Sequence, residues 1–100
     1  MTESAIQSKI LAWLKANGFW IFKTISCNRS GIMDIVGCTP RGRFLGIEVK
    51  TKIGRVSPLQ EWNIEEVHAR NGIAFVARDL DTVKQMLVNE MADDTAPSSL

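Results

Sequence analysis

The chain has 100 residues, 45% of them hydrophobic and 23% charged, with a net charge of +1. That balance suits one folded domain around a single core and argues against disorder outside the ends; no apolar run approaches the roughly 18 residues of a membrane span. Cys27 and Cys38 stand alone, with no Cys/His spacing around them, which suggests neither a disulfide framework nor a zinc site.

The N-terminus lacks the basic start and apolar stretch of a signal peptide, so a cytoplasmic protein is expected. Residues from about Glu3 to Ala16 carry Ile6, Ile10, Trp13 and Leu14 at helical spacing and end at Asn17-Gly18, predicting a first helix. Phe19–Thr24 is aromatic and β-branched enough for a short buried strand, and a polar, basic loop follows over 26–31. Two further strands are predicted over 32–39 and 43–50, around a turn of Pro40, Arg41 and Gly42. After a basic loop over 52–57, Ser57 at the N-cap, Pro58 at the first helical position and Gln60 at the third form a capping box. The helix they open runs to about Arg70 and stops at Asn71-Gly72; residues 73–77 (IAFVA) then read as a strand. Asp79 or Asp81 caps a last helix to about Glu90, with Leu80, Val83, Leu87 and Met91 on one face. Residues 92–100 read as a disordered tail, leaving one domain over 1–91. The order α-β-β-β-α-β-α predicts an α/β domain with a mixed central sheet flanked by helices.

The near-zero net charge hides an asymmetry. Residues 1–60 hold nine Lys and Arg against three acids, whereas residues 61–100 hold three against eight. A basic half of this kind suits a polyanion, although a chance clustering on a solvated face has the same composition. The three acids of the basic half, Glu3, Asp34 and Glu48, decide between these readings.

A three-residue turn with Gly42 left-handed pairs Thr39 with Arg43. Counting back from that pair sets Asp34 opposite Glu48, where like charges destabilise a sheet unless a cation lies between them. Lys50 shares the face of Glu48 by strand alternation. Glu3 lies on the stripe of Ile6, Gln7 and Ile10, which points it inward at the helix start. Each acid also has a plain structural explanation: Glu3 favours a helix N-terminus, Asp34 a loop edge, and Glu48 an ion pair with Lys50 or Arg43. Together, two carboxylates, a strand carbonyl and waters suit Mg²⁺, which takes oxygen ligands and keeps several waters. A cation there activates water and neutralises charge on a phosphodiester, with Lys50 placed to assist.

Asp34 followed after thirteen residues by Glu48-Val49-Lys50 resembles the PD-(D/E)xK nuclease signature. An E-x-K triplet by itself is common, but its surroundings narrow the match. Gly31-Ile32-Met33-Asp34 resembles the G-x-P-D stretch of the VRR-NUC family. Gly42-Arg43-Phe44 with Ile47-Glu48-Val49-Lys50 resembles its G-R-F-x-x-I-E-V-K strand, and Gly54-Arg55-x-Ser57-x-x-Gln60 its G-R-x-S-x-x-Q segment. Glu3 is similar to that family's helix glutamate, and the likeness covers roughly residues 3–88. Met33 departs from the family's proline, a change expected to alter loop stiffness more than chemistry.

The resemblance implies a restriction-endonuclease-like fold of the stand-alone bacterial or phage kind that hydrolyses DNA with Mg²⁺ or Mn²⁺. It implies Asp34, Glu48 and the Val49 carbonyl as metal ligands, Glu3 as an additional acid, Lys50 as the catalytic lysine and Gln60 as a helper near the metal. The capping role of Gln60 stands beside that reading and does not exclude it. His68 reads as a surface residue, and Trp13, Trp20 and Trp62 as core or interface residues. Arg29, Arg41, Arg43, Lys52 and Arg55 are the candidate phosphate contacts. No helix is loaded for base readout, so shape recognition is expected. Relatives of this kind imply a homodimer acting on four-way junctions or other branched DNA, with two sites on a two-fold substrate. The alternative is a module that keeps the nuclease fold and binds branched nucleic acid without cutting it.

Overall fold

The computed structural model describes residues 1–91; the tail expected over 92–100 lies outside the described residues. Helix α1 spans Glu3–Ala16 and is opened by Thr2, whose hydroxyl accepts from the Ala5 N–H at 3.1 Å. Gly18 ends it with φ at +82°, which lets the Phe19 N–H turn back to the Leu14 carbonyl at 3.1 Å. Strands β1 (Trp20–Lys23), β2 (Ile35–Cys38) and β3 (Phe44–Val49) follow. Next come helix α2 (Pro58–His68), strand β4 (Ile73–Ala77) and helix α3 (Leu80–Leu87), which tightens into a 3₁₀ turn over Val88–Glu90. Among the described residues no helix is long and apolar enough to cross a membrane.

The four strands lie in sequence order. β1, β2 and β3 form an antiparallel meander, and β4 joins β3 in parallel after the crossover through α2. The β2–β3 turn has the expected build: Gly42 takes φ +87°, its N–H bonds the Thr39 carbonyl at 2.9 Å, and the Thr39 N–H bonds the Arg43 carbonyl at 2.9 Å. Cys38 then pairs with Phe44 and Ile35 with Ile47. One step further along this register, Asp34 stands opposite Glu48.

Strand alternation divides the core between two faces. Ile21, Ile35, Leu45, Ile47, Val49, Phe75 and Ala77 join Ile6, Ile10 and Leu14 of α1 and Val83 and Leu87 of α3. Burying a side chain of this size contributes about 1.5–3 kcal/mol, so this layer holds α1 in place. The opposite face is thinner: Met33, Val36 and Ala74 pack with Ile32 and with Ile64 and Val67 of α2. Glu48 falls on this second face, between Ile47 and Val49.

β2 is shorter than the predicted 32–39. Thr24 draws the preceding segment toward β1, its N–H donating to the Asp34 carbonyl at 2.8 Å and its hydroxyl to the Met33 carbonyl at 2.9 Å. Met33, 1% exposed, is a core residue whose thioether lies over Gly46, where a Cβ would meet it. α2 ends two residues before Arg70, where Asn71 takes the left-handed position with φ +64°.

Candidate active site

The end of the β2–β3 hairpin away from its turn gathers the acids. Glu3, Asp34 and Glu48 each bring a carboxylate oxygen to within 4.8 Å of the others. Three elements place them: the first turn of α1, the bend before β2, and β3. Asp34 is held by the backbone, its Oδ2 accepting from the Val49 N–H at 2.8 Å. A residue's N–H and C=O point to the same side of a strand, so the Val49 carbonyl also faces the side on which Asp34 lies.

Glu48 is 2% exposed and Lys50 lies beside it, Nζ to Oε2 at 3.5 Å. Burial pushes the Glu48 carboxyl from its ordinary 4.5 up to about 8; the neighbouring Asp34 carboxylate pushes the same way, and Lys50 pulls against them. Glu48 Oε1 is buried with no hydrogen-bond partner, and among the described residues the other such atom is Gln7 Oε1. A lone lysine therefore leaves this cluster short of positive charge and of donors. Hard oxygen ligands from three acids, with a buried oxygen unpaired, fit a divalent cation of the Mg²⁺ or Mn²⁺ type.

The remaining predicted site residues fall in several places. Gln60 closes the capping box of α2: its N–H donates to Ser57 Oγ at 3.1 Å and its Oε1 accepts from the Ser57 N–H at 2.9 Å. Lys52 and Arg55 are exposed on the loop after Lys50. Arg29 borders a groove of about 410 Å³ between α2 and the sheet, floored by Met33 and Phe44. Arg41 and Arg43 sit at the turn end of the hairpin, and five residue steps of extended chain put Arg43 roughly 17 Å from Glu48. There the Arg43 guanidinium bonds Glu90 and the Asn71 carbonyl, and Arg41 Nε bonds the Met91 carbonyl at 3.3 Å. Their closeness to the acids in sequence does not carry into space. His68 is exposed and its Nε2 lies 2.6 Å from the Ala74 carbonyl.

Two supporting residues escaped the sequence reading. Arg78 Nη1 reaches the carbonyls of Thr51 at 2.6 Å, Gly54 at 2.7 Å and Lys52 at 3.4 Å, fastening the basic loop to the end of β4. Buried Asn63 donates from α2 to the Ser30 and Gly31 carbonyls, both at 3.1 Å, steadying the segment that leads into Asp34. An asparagine inside a helix is a faint signal, since its side chain competes with helical bonding. An arginine that follows a strand carries none.

The family-model match places the chain in the nuclease-fold, DNA-binding class. The chain belongs to the VRR-NUC domain family, whose model matches residues 1–79. It is similar to a solved structure described as a VRR_NUC domain protein, with TM-score 0.73 and 21% identity over 90% of this chain and 88% of the other. A second, described as a VRR_NUC domain, has TM-score 0.73 and 26% identity over 87% of this chain and 94% of the other. Curated proteins include no match.

Proposed function

We propose that the protein is a divalent-metal-dependent endonuclease that hydrolyses phosphodiester bonds in branched DNA, four-way junctions among them. The observation that carries this reading is the convergence of Glu3, Asp34 and Glu48 within 4.8 Å, with Lys50 beside Glu48. Asp34, Glu48, the Val49 carbonyl and Glu3 hold Mg²⁺ or Mn²⁺, which when bound lowers the pKa of water and offsets phosphate charge. Lys50 presents its ammonium to the attacked phosphate, where negative charge builds up in the transition state. Lys52 and Arg55 on the adjoining loop hold the DNA backbone, contacts that position the substrate without reading its sequence. Gln60, next along that path, supports the site from the helix start.

The protein acts as a homodimer in this reading. Trp20 and Phe22, 67% and 48% exposed, form an edge-on pair with ring centroids 5.6 Å apart on β1, an edge strand of the sheet. They share the face of Val36, and α2 packs over β3 and β4 on that face. An uncovered aromatic pair on an edge strand suits a second copy, and two copies bring two sites to a two-fold junction.

The test is cleavage of an end-labelled four-way junction and a sequence-matched duplex with Mg²⁺, with Mn²⁺ and with EDTA. Paired, metal-dependent nicks on the junction are expected. Lys50→Ala should retain DNA binding and lose cleavage by a hundred- to a thousandfold, on the order of one lost transition-state donor. A gel shift without cuts in any metal, the same in Lys50→Ala, would leave a DNA-binding module. For the dimer, sedimentation of Trp20→Glu should show monomers where the wild type shows dimers.

A further inference from the structure

Resting on the nuclease reading, we propose that Gln7 is a positioning residue of the carboxylate site: its amide oxygen accepts a hydrogen bond from a water held among Glu3, Asp34 and Glu48. Gln7 is 7% exposed and its Oε1 has no partner. It stands on the buried stripe of α1 with Ile6, Ile10 and Leu14. A leucine would fill that position without leaving a buried acceptor unpaired, so packing alone gives no reason for an amide.

The position of Gln7 supplies the reason. It follows Glu3 by four residues, hence shares its side of the helix, and helical side chains lean toward the N-terminus. Its amide therefore lies one helical turn behind Glu3, whose carboxylate is within 4.8 Å of Asp34 and Glu48, a spacing that one water bridges. The other buried oxygen without a partner is Glu48 Oε1, in that cluster. With Glu48 ionised, as a bound cation requires, both atoms are acceptors, and the ammonium of Lys50 lies nearest the other Glu48 oxygen. A water supplies two O–H donors, and with both engaged it turns a lone pair outward, the orientation a nucleophile needs. Gln7 orients that water and does not contact the DNA.

Gln7→Leu and Gln7→Glu separate this role from packing. Thermal melting, calorimetric titration with Mn²⁺, DNA binding in EDTA and single-turnover junction cleavage are compared with wild type. Gln7→Leu should melt at or above the wild-type temperature and bind DNA equally. Its cleavage rate and Mn²⁺ affinity should each fall by about tenfold to a hundredfold, the usual effect of removing a supporting partner from a metal site. Gln7→Glu, which keeps an acceptor, should recover most of the Mn²⁺ affinity. A Gln7→Leu protein with unchanged rate and unchanged Mn²⁺ affinity would overturn the proposal and leave the nuclease reading standing. A wild-type chain that binds no Mn²⁺ would overturn both. Should Gln7→Leu fail to fold, Gln7→Met, of similar length and without a strong acceptor, answers the same question.

Discussion

The backbone N–H of Val49 donates to the Asp34 side chain, Oδ2, at 2.8 Å. In the β2–β3 register that N–H would ordinarily go to the Met33 carbonyl, which instead accepts from Thr24. One carboxylate therefore closes the ladder with one oxygen and faces Glu48 and Glu3 with the group as a whole. Structure and chemistry are thereby joined in Asp34, and two substitutions pull them apart. Asp34→Asn keeps an acceptor for Val49 and should melt close to wild type, whereas Asp34→Ala strands the N–H and should lose about 1–2 kcal/mol. Both should abolish cleavage. Equal melting temperatures for the two variants would show that the bond to Val49 adds nothing to stability.

The buried carboxyl of Glu48 makes the stability of the metal-free protein depend on pH. Its folded value, about 8, lies above its ordinary 4.5, so the folded chain holds a proton that the unfolded chain has released between these limits. The contribution is complete below about pH 4.5 and is lost as pH rises through about 8. In EDTA, melting temperature should decline from pH 5 to pH 9 more steeply for wild type than for Glu48→Gln. Added Mg²⁺ should reverse the decline at the alkaline end, because it binds the charged form. Parallel curves for the two proteins in EDTA would contradict the assignment.

Arg55 and Arg43 are both basic and both near the Glu-x-Lys triplet in sequence, yet they should behave differently. Arg55 is exposed on the loop after Lys50, and Arg55→Ala should weaken DNA binding and reduce its salt slope by about one. Arg43 is tied to Glu90 and the Asn71 carbonyl. Arg43→Ala should lower stability by about 1 kcal/mol and leave the salt slope unchanged. Binding isotherms between 50 and 200 mM salt, read beside thermal melts, check both.

Arg78 should matter to the same loop from beneath. Its guanidinium group gathers the Thr51 and Gly54 carbonyls, and Arg78→Ala should speed amide exchange around that turn and weaken DNA binding by about tenfold, the worth of roughly 1.4 kcal/mol. Arg78→Lys has one compact donor group in place of a fork and should recover only part of the loss. Unchanged exchange in Arg78→Ala would show that the loop holds itself.

The hairpin, and with it the meeting of Asp34 and Glu48, is legible in the amino-acid order alone. Turn chemistry is local: Pro40-Arg41-Gly42 sets a register that six residues of alternating strand carry intact to the far end. The capping box of Ser57 and Gln60 and the helix ends at Asn17-Gly18 and Asn71-Gly72 were legible for the same reason. Tertiary structure decided what depends on contacts between distant segments. It laid β4 in parallel against β3, which brings Arg78 to the basic loop, and set α2 over the face that carries Glu48. It also carried Arg43 to Glu90, and buried Gln7 on the inner stripe of α1 with its amide oxygen unpartnered. Local torsional preferences extend a few residues along the chain, whereas these placements follow from burying both faces of one sheet at once.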